Sequence, residues 1–362
     1  MLREENRVQV RLVLSLTGVI SVFVLLVYFS APHSGSFLLG DFSVFYEAAQ
    51  RLRRGEPIYI RGGMAYMNPP FFAWMLQPFT CVPESLGRRI WTVIMYGLVL
   101  VSCRLLLGGS EATPHRRAFL WGAMLSVPVL IGNLFLGQNV ALVLFALVSG
   151  YVLQKRGHHV LAGIILALGL IKPHFLIGPV IVLLAARRWR ELIGLAGAAI
   201  ILGVISLLVV DGEGILGYLQ VTGDAVGWVK AGDYWRTDLH TPNGVLHQFV
   251  PYGVADIAVM LVGAVVIALI VWRCSRDREV SSQTFSLGVV GALLITPYAH
   301  LHDLMLLIIP WLLLGEVLRG WRWWVLIASY LAPVAHVVLL GIGGYGPVVT
   351  VPAITGLFVY LT

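Results

Sequence analysis

LIGLAGAAIILGVISLLVV, residues 192–210, carries no charge and no proline along its whole length. A helix needs about 20 apolar residues, and no fewer than ~17, to cross ~30 Å of hydrocarbon, so this run is read as a membrane span. Working outward in both directions, similar runs recur at 12–29, 86–107, 118–135, 138–153, 158–171, 173–186, 253–272, 284–299, 303–318, 323–340 and 347–361. Hydrophobic residues make up 58 % of the chain and charged residues 12 %. A soluble domain of that composition would leave large apolar patches in water. The expectation is an all-α polytopic membrane protein with ten to twelve spans, several of them short and therefore tilted or broken.

Basic residues orient the spans. Arg3, Arg7 and Arg11 precede the first; Arg104, Arg116 and Arg117, then Lys155 and Arg156, then Arg187, Arg188 and Arg190, then Arg273, Arg276 and Arg278, then Arg319 and Arg322 fall in loops of the same parity. The positive-inside rule makes these loops cytoplasmic. The first outer loop is an exception, with Arg51, Arg53, Arg54 and Arg61. Those arginines meet either lipid head groups or an anionic substrate. The net charge of +7 comes largely from the inner loops, which speaks for anionic lipid and against nucleic acid. Cys81, Cys103 and Cys274 are too scattered for a disulfide framework or a thiolate metal site. The first apolar run has no small-residue cleavage site and is read as a retained helix, not a signal peptide.

The residues capable of chemistry gather on the outer side. One transmembrane domain, 1–362, carries a first outer loop over 30–85 and a second over 211–251. Within the first, Phe42, Phe45, Tyr46, Ala49 and Leu52 recur at helical spacing opposite Glu47, Gln50, Arg51 and Arg54, the pattern of an amphipathic helix lying in the interface plane. Asp41 stands at its start. It is read either as an N-cap, without a capping box because position 44 is Val, or as a base serving a substrate at the membrane surface. Tyr66-Met67-Asn68-Pro69-Pro70 leads into a short apolar segment that re-enters or lines the outer vestibule.

Lys172-Pro173-His174 joins two apolar runs with no carboxylate nearby in sequence. Its lysine snorkels, meets an acidic partner from elsewhere, or binds phosphate. His300-Leu301-His302-Asp303 opens another apolar helix; the histidines suit a phosphate or sugar better than a metal, for which no further ligand set stands out, and Asp303 suits a helix cap. The loop over 211–251 holds Tyr218, Trp228, Tyr234, Trp235, His240, Asn243 and His247, residues that suit either sugar rings or a membrane interface.

In order, Asp41 with its aromatic helix, Tyr59, Asn68-Pro69-Pro70, Gly137-Gln138-Asn139, Lys172-Pro173-His174, Thr241-Pro242-Asn243 and Pro297-Tyr298 through His302 form a series over about 40–310. This series resembles glycosyltransferase family 87, polytopic enzymes of the GT-C fold that include polyprenyl-phosphate-mannose-dependent alpha-1,2-mannosyltransferases. The chain departs from the family pattern at Asn68, where tyrosine often precedes the prolines, and at His300-Leu301-His302, where the histidines are often paired. The resemblance implies a polyprenyl-phosphate sugar donor and a general-base role that falls on Asp41.

Elementary chemistry fits that implication. A lipid phosphate leaves as an anion, so transfer requires one base for the acceptor hydroxyl and cations near the phosphate. The expectation is therefore inverting transfer of a hexose, mannose first, to a lipid or glycan hydroxyl outside the plasma membrane, with no metal or other cofactor. Asp41 takes the proton, Lys172, His174, His300 and His302 hold the donor phosphate, and Tyr46, Tyr59, Asn68, Gln138 and Asn243 contact substrate. The alternatives are a lipid-linked-sugar transporter, which should carry ionisable groups on both faces and at mid-membrane, and a non-catalytic glycan-binding subunit.

Overall fold

The structure, a computed structural model, describes residues 40–60, 65–108, 128–230, 239–249, 254–276, 279–315, 321–342 and 344–362. The expected first span at 12–29, the first part of the run at 118–135, and Arg61 and Trp235 lie outside the described residues. Among those described every regular element is a helix and there is no strand. In chain order the helices are α1 (Gly40–Arg53), α2 (Pro70–Met75), α3 (Glu84–Leu107), α4 (Pro128–Leu136), α5 (Val140–Lys155), α6 (His159–Leu166), α7 (Ile177–Ala185), α8 (Trp189–Lys230), α9 (Pro242–Phe249), α10 (Val254–Ser275), α11 (Ser282–Ile295), α12 (Ile308–Gly315), α13 (Trp321–Gly341) and α14 (Pro347–Leu361).

Each expected span with described coordinates coincides with a helix, but many are broken. Glu84–Leu107 and Trp189–Asp224 are long and apolar enough to cross a membrane unaided, and shorter apolar helices of 10–17 residues accompany them. The breaks are tight 3-10 turns at Ala167–Ile171, Pro173–Leu176 and Leu301–Leu307. The first two flank Lys172, whose own backbone is not helical. Proline at 173 removes a backbone donor and disfavours helix for the residue before it, so the chain bends there and the lysine leaves the helix axis.

Helices apolar on every side belong in the middle of a bundle. Accordingly α11 is almost wholly buried, as is the segment Leu304–Ile309 running into α12, and α5 packs beside them against α3 and α6. The outer helices α8 and α10 expose many large apolar side chains: Leu208 is 81 % exposed, and Ile193, Ile200, Leu261, Val262 and Leu269 also face outward. A leucine side chain left in water forgoes roughly 1.5–3 kcal/mol of burial, so a row of them marks a surface covered by lipid. Close backbone approach replaces the hydrophobic effect between helices in such a medium. At the α6–α8 crossing a Cβ on Gly163 would strike the Glu191 carbonyl, and one on Gly194 the Val160 carbonyl.

The expected forty-residue outer loop at 211–251 is not a loop over its first half. Helix α8 bends at Asp211, whose φ is 57° and ψ −168°, and then continues to Lys230. The Asp211 carboxylate accepts the Gly214 N–H at 3.1 Å, which restarts the helix after the bend.

Candidate functional site

The site begins where α1 meets the turn between α4 and α5. Gly137 in that turn has φ +68°, and a Cβ on it would lie 2.7 Å from Cβ of Phe42. Conversely a Cβ on Gly40 would lie 2.5 Å from the Leu136 carbonyl oxygen. Two glycines thus let the start of α1 rest directly on the turn. The aromatic face of α1 locks it there: Phe42 is fully buried 5.9 Å from the Trp91 ring, Phe45 lies 5.3 Å from Phe72, and Trp91 donates its Nε1–H to the Gly137 carbonyl at 2.9 Å. The apolar face expected to lie on the interface packs against protein instead.

This docking sets the role of Asp41. Its carboxylate does not cap α1; Oδ2 accepts the Nε2–H of Gln138 at 2.6 Å. Because a carboxylate only accepts, the Gln138 amide is oriented with its nitrogen toward Asp41. Burial pushes the Asp41 carboxyl above its usual range, against the opposing pull of the Lys172 and His300 charges and the Gln138 hydrogen bond. A carboxylate held in that way is a stronger base than one in water. If Asp41 serves as a base, Gln138→Leu, which takes away a stabiliser of its ionised form, is expected to move the acid limb of kcat/KM up in pH. A pH–rate profile whose acid limb stays put or moves down would remove Gln138 from that role.

Opposite Asp41 lies an ion pair contributed by residues far apart in the chain. Lys172 Nζ sits 2.7 Å from Asp303 Oδ1, with both side chains largely buried. The acidic partner wins over snorkelling as the fate of this lysine. Asp303 does more than cap, for its Oδ2 accepts the His300 backbone N–H at 2.9 Å while Oδ1 also faces His302 Nε2 at 3.5 Å. The His300 and His302 rings lie 5.5 Å apart, and Asn133 of α4 donates to the His302 carbonyl at 3.4 Å.

The other expected residues are placed unequally. Asn68 joins the site through Asn139, whose Nδ2–H it accepts at 2.8 Å, and Tyr59 joins through its hydroxyl, which donates to the Asn68 carbonyl at 2.7 Å. His174 reaches the same region by ring contact with Tyr298 at 5.2 Å. Asn243 lies in the first turn of α9, a segment tied beside His300 by the His240 N–H donating to the Ala299 carbonyl at 2.7 Å. Tyr46 stands apart, its hydroxyl donating to the Val82 carbonyl at 2.8 Å. The outer-loop arginines are answered within the loop: Arg51 pairs with Glu47 at 2.8 Å and Arg54 with Glu56 at 2.9 Å, while Arg53 reaches the Thr80 carbonyl at 3.4 Å.

Sequence reading missed two features. Asn139, in the sequence one member of Gly137-Gln138-Asn139, links Asn68 to the turn beside Asp41. Tyr218 was assigned to a loop, whereas it lies on α8 with its ring 5.8 Å from Tyr59. A signal existed for Tyr218, since the stretch after Gly214 has helical spacing of apolar residues; the glycines around Asp211 disguised it.

An all-helical bundle, apolar both inside and on its outer faces, defines a helical membrane protein. The sequence model of glycosyltransferase family 87 matches residues 66–297, well over half of the chain. The chain belongs to that family and is a membrane glycosyltransferase. The matched region is shorter than the 40–310 expected: it takes in Asn68, Gln138, Lys172, His174 and Asn243 but begins after Asp41 and ends before His300. No curated protein and no solved structure matches the chain.

Proposed function

We propose that this protein transfers a hexose, mannose first, from a polyprenyl-phosphate donor to a hydroxyl of a lipid or glycan acceptor on the extracytoplasmic side of the plasma membrane, with inversion. Asp41 takes the acceptor proton as the hydroxyl attacks the sugar's C1, and the bond from C1 to the phosphate oxygen breaks. The departing lipid phosphate needs no proton, only positive charge, which Lys172 and the His300–His302 segment supply. His174 belongs to the donor end, next to Lys172. Gln138 holds Asp41, and Asn68 and Tyr59 shape the adjoining wall.

One observation carries the reading. A buried carboxylate held by Gln138 lies close enough to feel the charges of Lys172, His300 and Asp303, which supports reading a base and phosphate-binding cations as one site. Family membership supports sugar transfer in general; the lipid-phosphate donor is what the resemblance to polyprenyl-phosphate-dependent members implies, and the pairing of a buried carboxylate with nearby cations agrees with it.

The test is transfer of label from polyprenyl-phosphate mannose to lipid acceptors in membranes holding the full chain, with chelator present. Labelled product is expected. If no polyprenyl-phosphate sugar gives product, while proteoliposomes move the same lipids between leaflets, the transporter reading takes its place.

A further inference from the structure

Along one wall of the site, three hydrogen-bonding side chains have no such bond to any described residue. Tyr218 lies on α8 just past the bend at Asp211. Its ring continues a row in which Tyr66 and Tyr59 are 5.6 Å apart and Tyr59 and Tyr218 are 5.8 Å apart. The Tyr218 phenol is within electrostatic reach of Tyr298, and Tyr298 of Asp303, while the Tyr298 ring meets His174 edge-on. The Tyr66 and Tyr59 hydroxyls are committed to the carbonyls of Pro69 and Asn68. By contrast, among the described residues the hydroxyls of Tyr218 and Tyr298 and the ring nitrogens of His174 have no hydrogen-bond partner, and these side chains are half-buried and not sealed off. Half-enclosed polar groups without protein partners are where a ligand's own polar groups are met.

We propose that Tyr218, Tyr298 and His174 read the hydroxyls of the transferred sugar, with the rings of Tyr59 and Tyr218 as the face against which that sugar packs. This rests on the donor being a lipid-phosphate sugar. The sugar of such a donor is bonded through C1 to the phosphate, so it must lie beside whatever holds the phosphate. His174 is two residues from Lys172, and Tyr298 is two from His300, so the same two segments that hold the phosphate also supply the hydroxyl-reading groups. Aromatic faces with a few placed polar groups are the usual make-up of such a subsite.

The sequence goes to some length to bring Tyr218 here. Asp211 adopts a backbone conformation that is costly for any residue but glycine, and the bend it makes turns the second half of α8 toward Tyr59. Gly217 then permits the approach, since a Cβ on it would lie 3.1 Å from Cβ of Tyr59. Strain at Asp211 and a small residue at 217 place one phenol at the site.

The experiment measures binding, not turnover. Dissociation constants of purified full-length protein are determined for polyprenyl-phosphate mannose, polyprenyl-phosphate glucose and bare polyprenyl phosphate, in wild type, Tyr218→Phe and Tyr298→Phe. Wild type is expected to bind one sugar-bearing lipid more tightly than the bare one. Each phenylalanine variant, which keeps the ring and its packing, should lose about tenfold in affinity for that lipid, the upper end of what one hydrogen bond contributes, with no change for bare polyprenyl phosphate. Equal losses for sugared and bare lipid, no loss for either, or a wild type that does not distinguish them would overturn the subsite. Selective binding without transfer would uphold the subsite and strike at Asp41 as the base instead.

Discussion

Asp41→Asn is expected to abolish sugar transfer in a protein that folds and binds its donor as wild type does. The substitution keeps the size and shape of the side chain, and an amide oxygen in the place of Oδ2 can still accept the Gln138 Nε2–H now held at 2.6 Å. The packing that docks α1, from Phe42 to Trp91 and from Gly40 to the Leu136 carbonyl, does not involve the carboxylate. What is lost is the group proposed to take the acceptor proton. General-base catalysis contributes about a hundred- to ten-thousand-fold in rate, so with a slow lipid substrate the product falls below detection. Under the proposed function donor affinity is set at Lys172 and the His300–His302 segment, so the dissociation constant for polyprenyl-phosphate sugar is expected to stay within about twofold of wild type. The two measurements together separate the base from a structural residue: a cap or strut would lower the unfolding temperature, and a donor-binding group would weaken binding. Near-normal turnover in Asp41→Asn would remove it from catalysis whatever the binding result.

How far the sequence reveals this molecule depends on how local each feature is. The ends of α3, α5, α10 and α14 lie within about three residues of the expected apolar runs, because hydrophobicity and helix length are written along the chain. The extended backbone at Pro69 and the short helix beginning at Pro70 follow from tandem proline in the same way. The pairing of Arg51 with Glu47 is legible too, at the spacing where opposite charges meet on a helix, and it stands where a lipid or substrate contact was the expectation. Asp211-Gly212-Glu213-Gly214 has the composition of a turn, and a turn it is, but one from which the helix resumes. Nothing local decides between a bend and a loop. Least legible is the partner of Lys172, since Asp303 is 131 positions away and only the packing of the 301–307 turn against its neighbours brings them together. The sequence marks a buried cation and a carboxylate as each in need of a partner; it does not say that they find one another.

Removing the charge of Asp303 is expected to cost more stability than any other single substitution in the site. In Asp303→Asn the residue keeps its shape and can still accept the His300 N–H, but an amide has half the acceptor capacity of a carboxylate and no charge. Lys172, with 15 % of its side chain exposed, is left as a cation in a poorly solvated position. Breaking a buried pair by removing one member costs about 3–5 kcal/mol, because the remaining charge has lost its counterpart. Thermal unfolding in detergent should therefore show a markedly lower midpoint, and donor affinity should fall as the lysine loses the anchor that aims it. Stability loss alone does not establish function, so the pair is also replaced as a whole. Lys172→Met combined with Asp303→Leu removes both charges for side chains of similar bulk, and such swaps are often neutral or stabilising. The double variant is expected to recover most of the lost midpoint while transfer and binding of bare polyprenyl phosphate stay low, because the phosphate has lost the Lys172 cation. Recovery of both stability and phosphate binding would mean that the ion pair is a strut in the bundle and that the phosphate is held elsewhere. If Asp303→Asn leaves the midpoint unchanged, the pair contributes nothing to the fold and the argument for its burial fails with it.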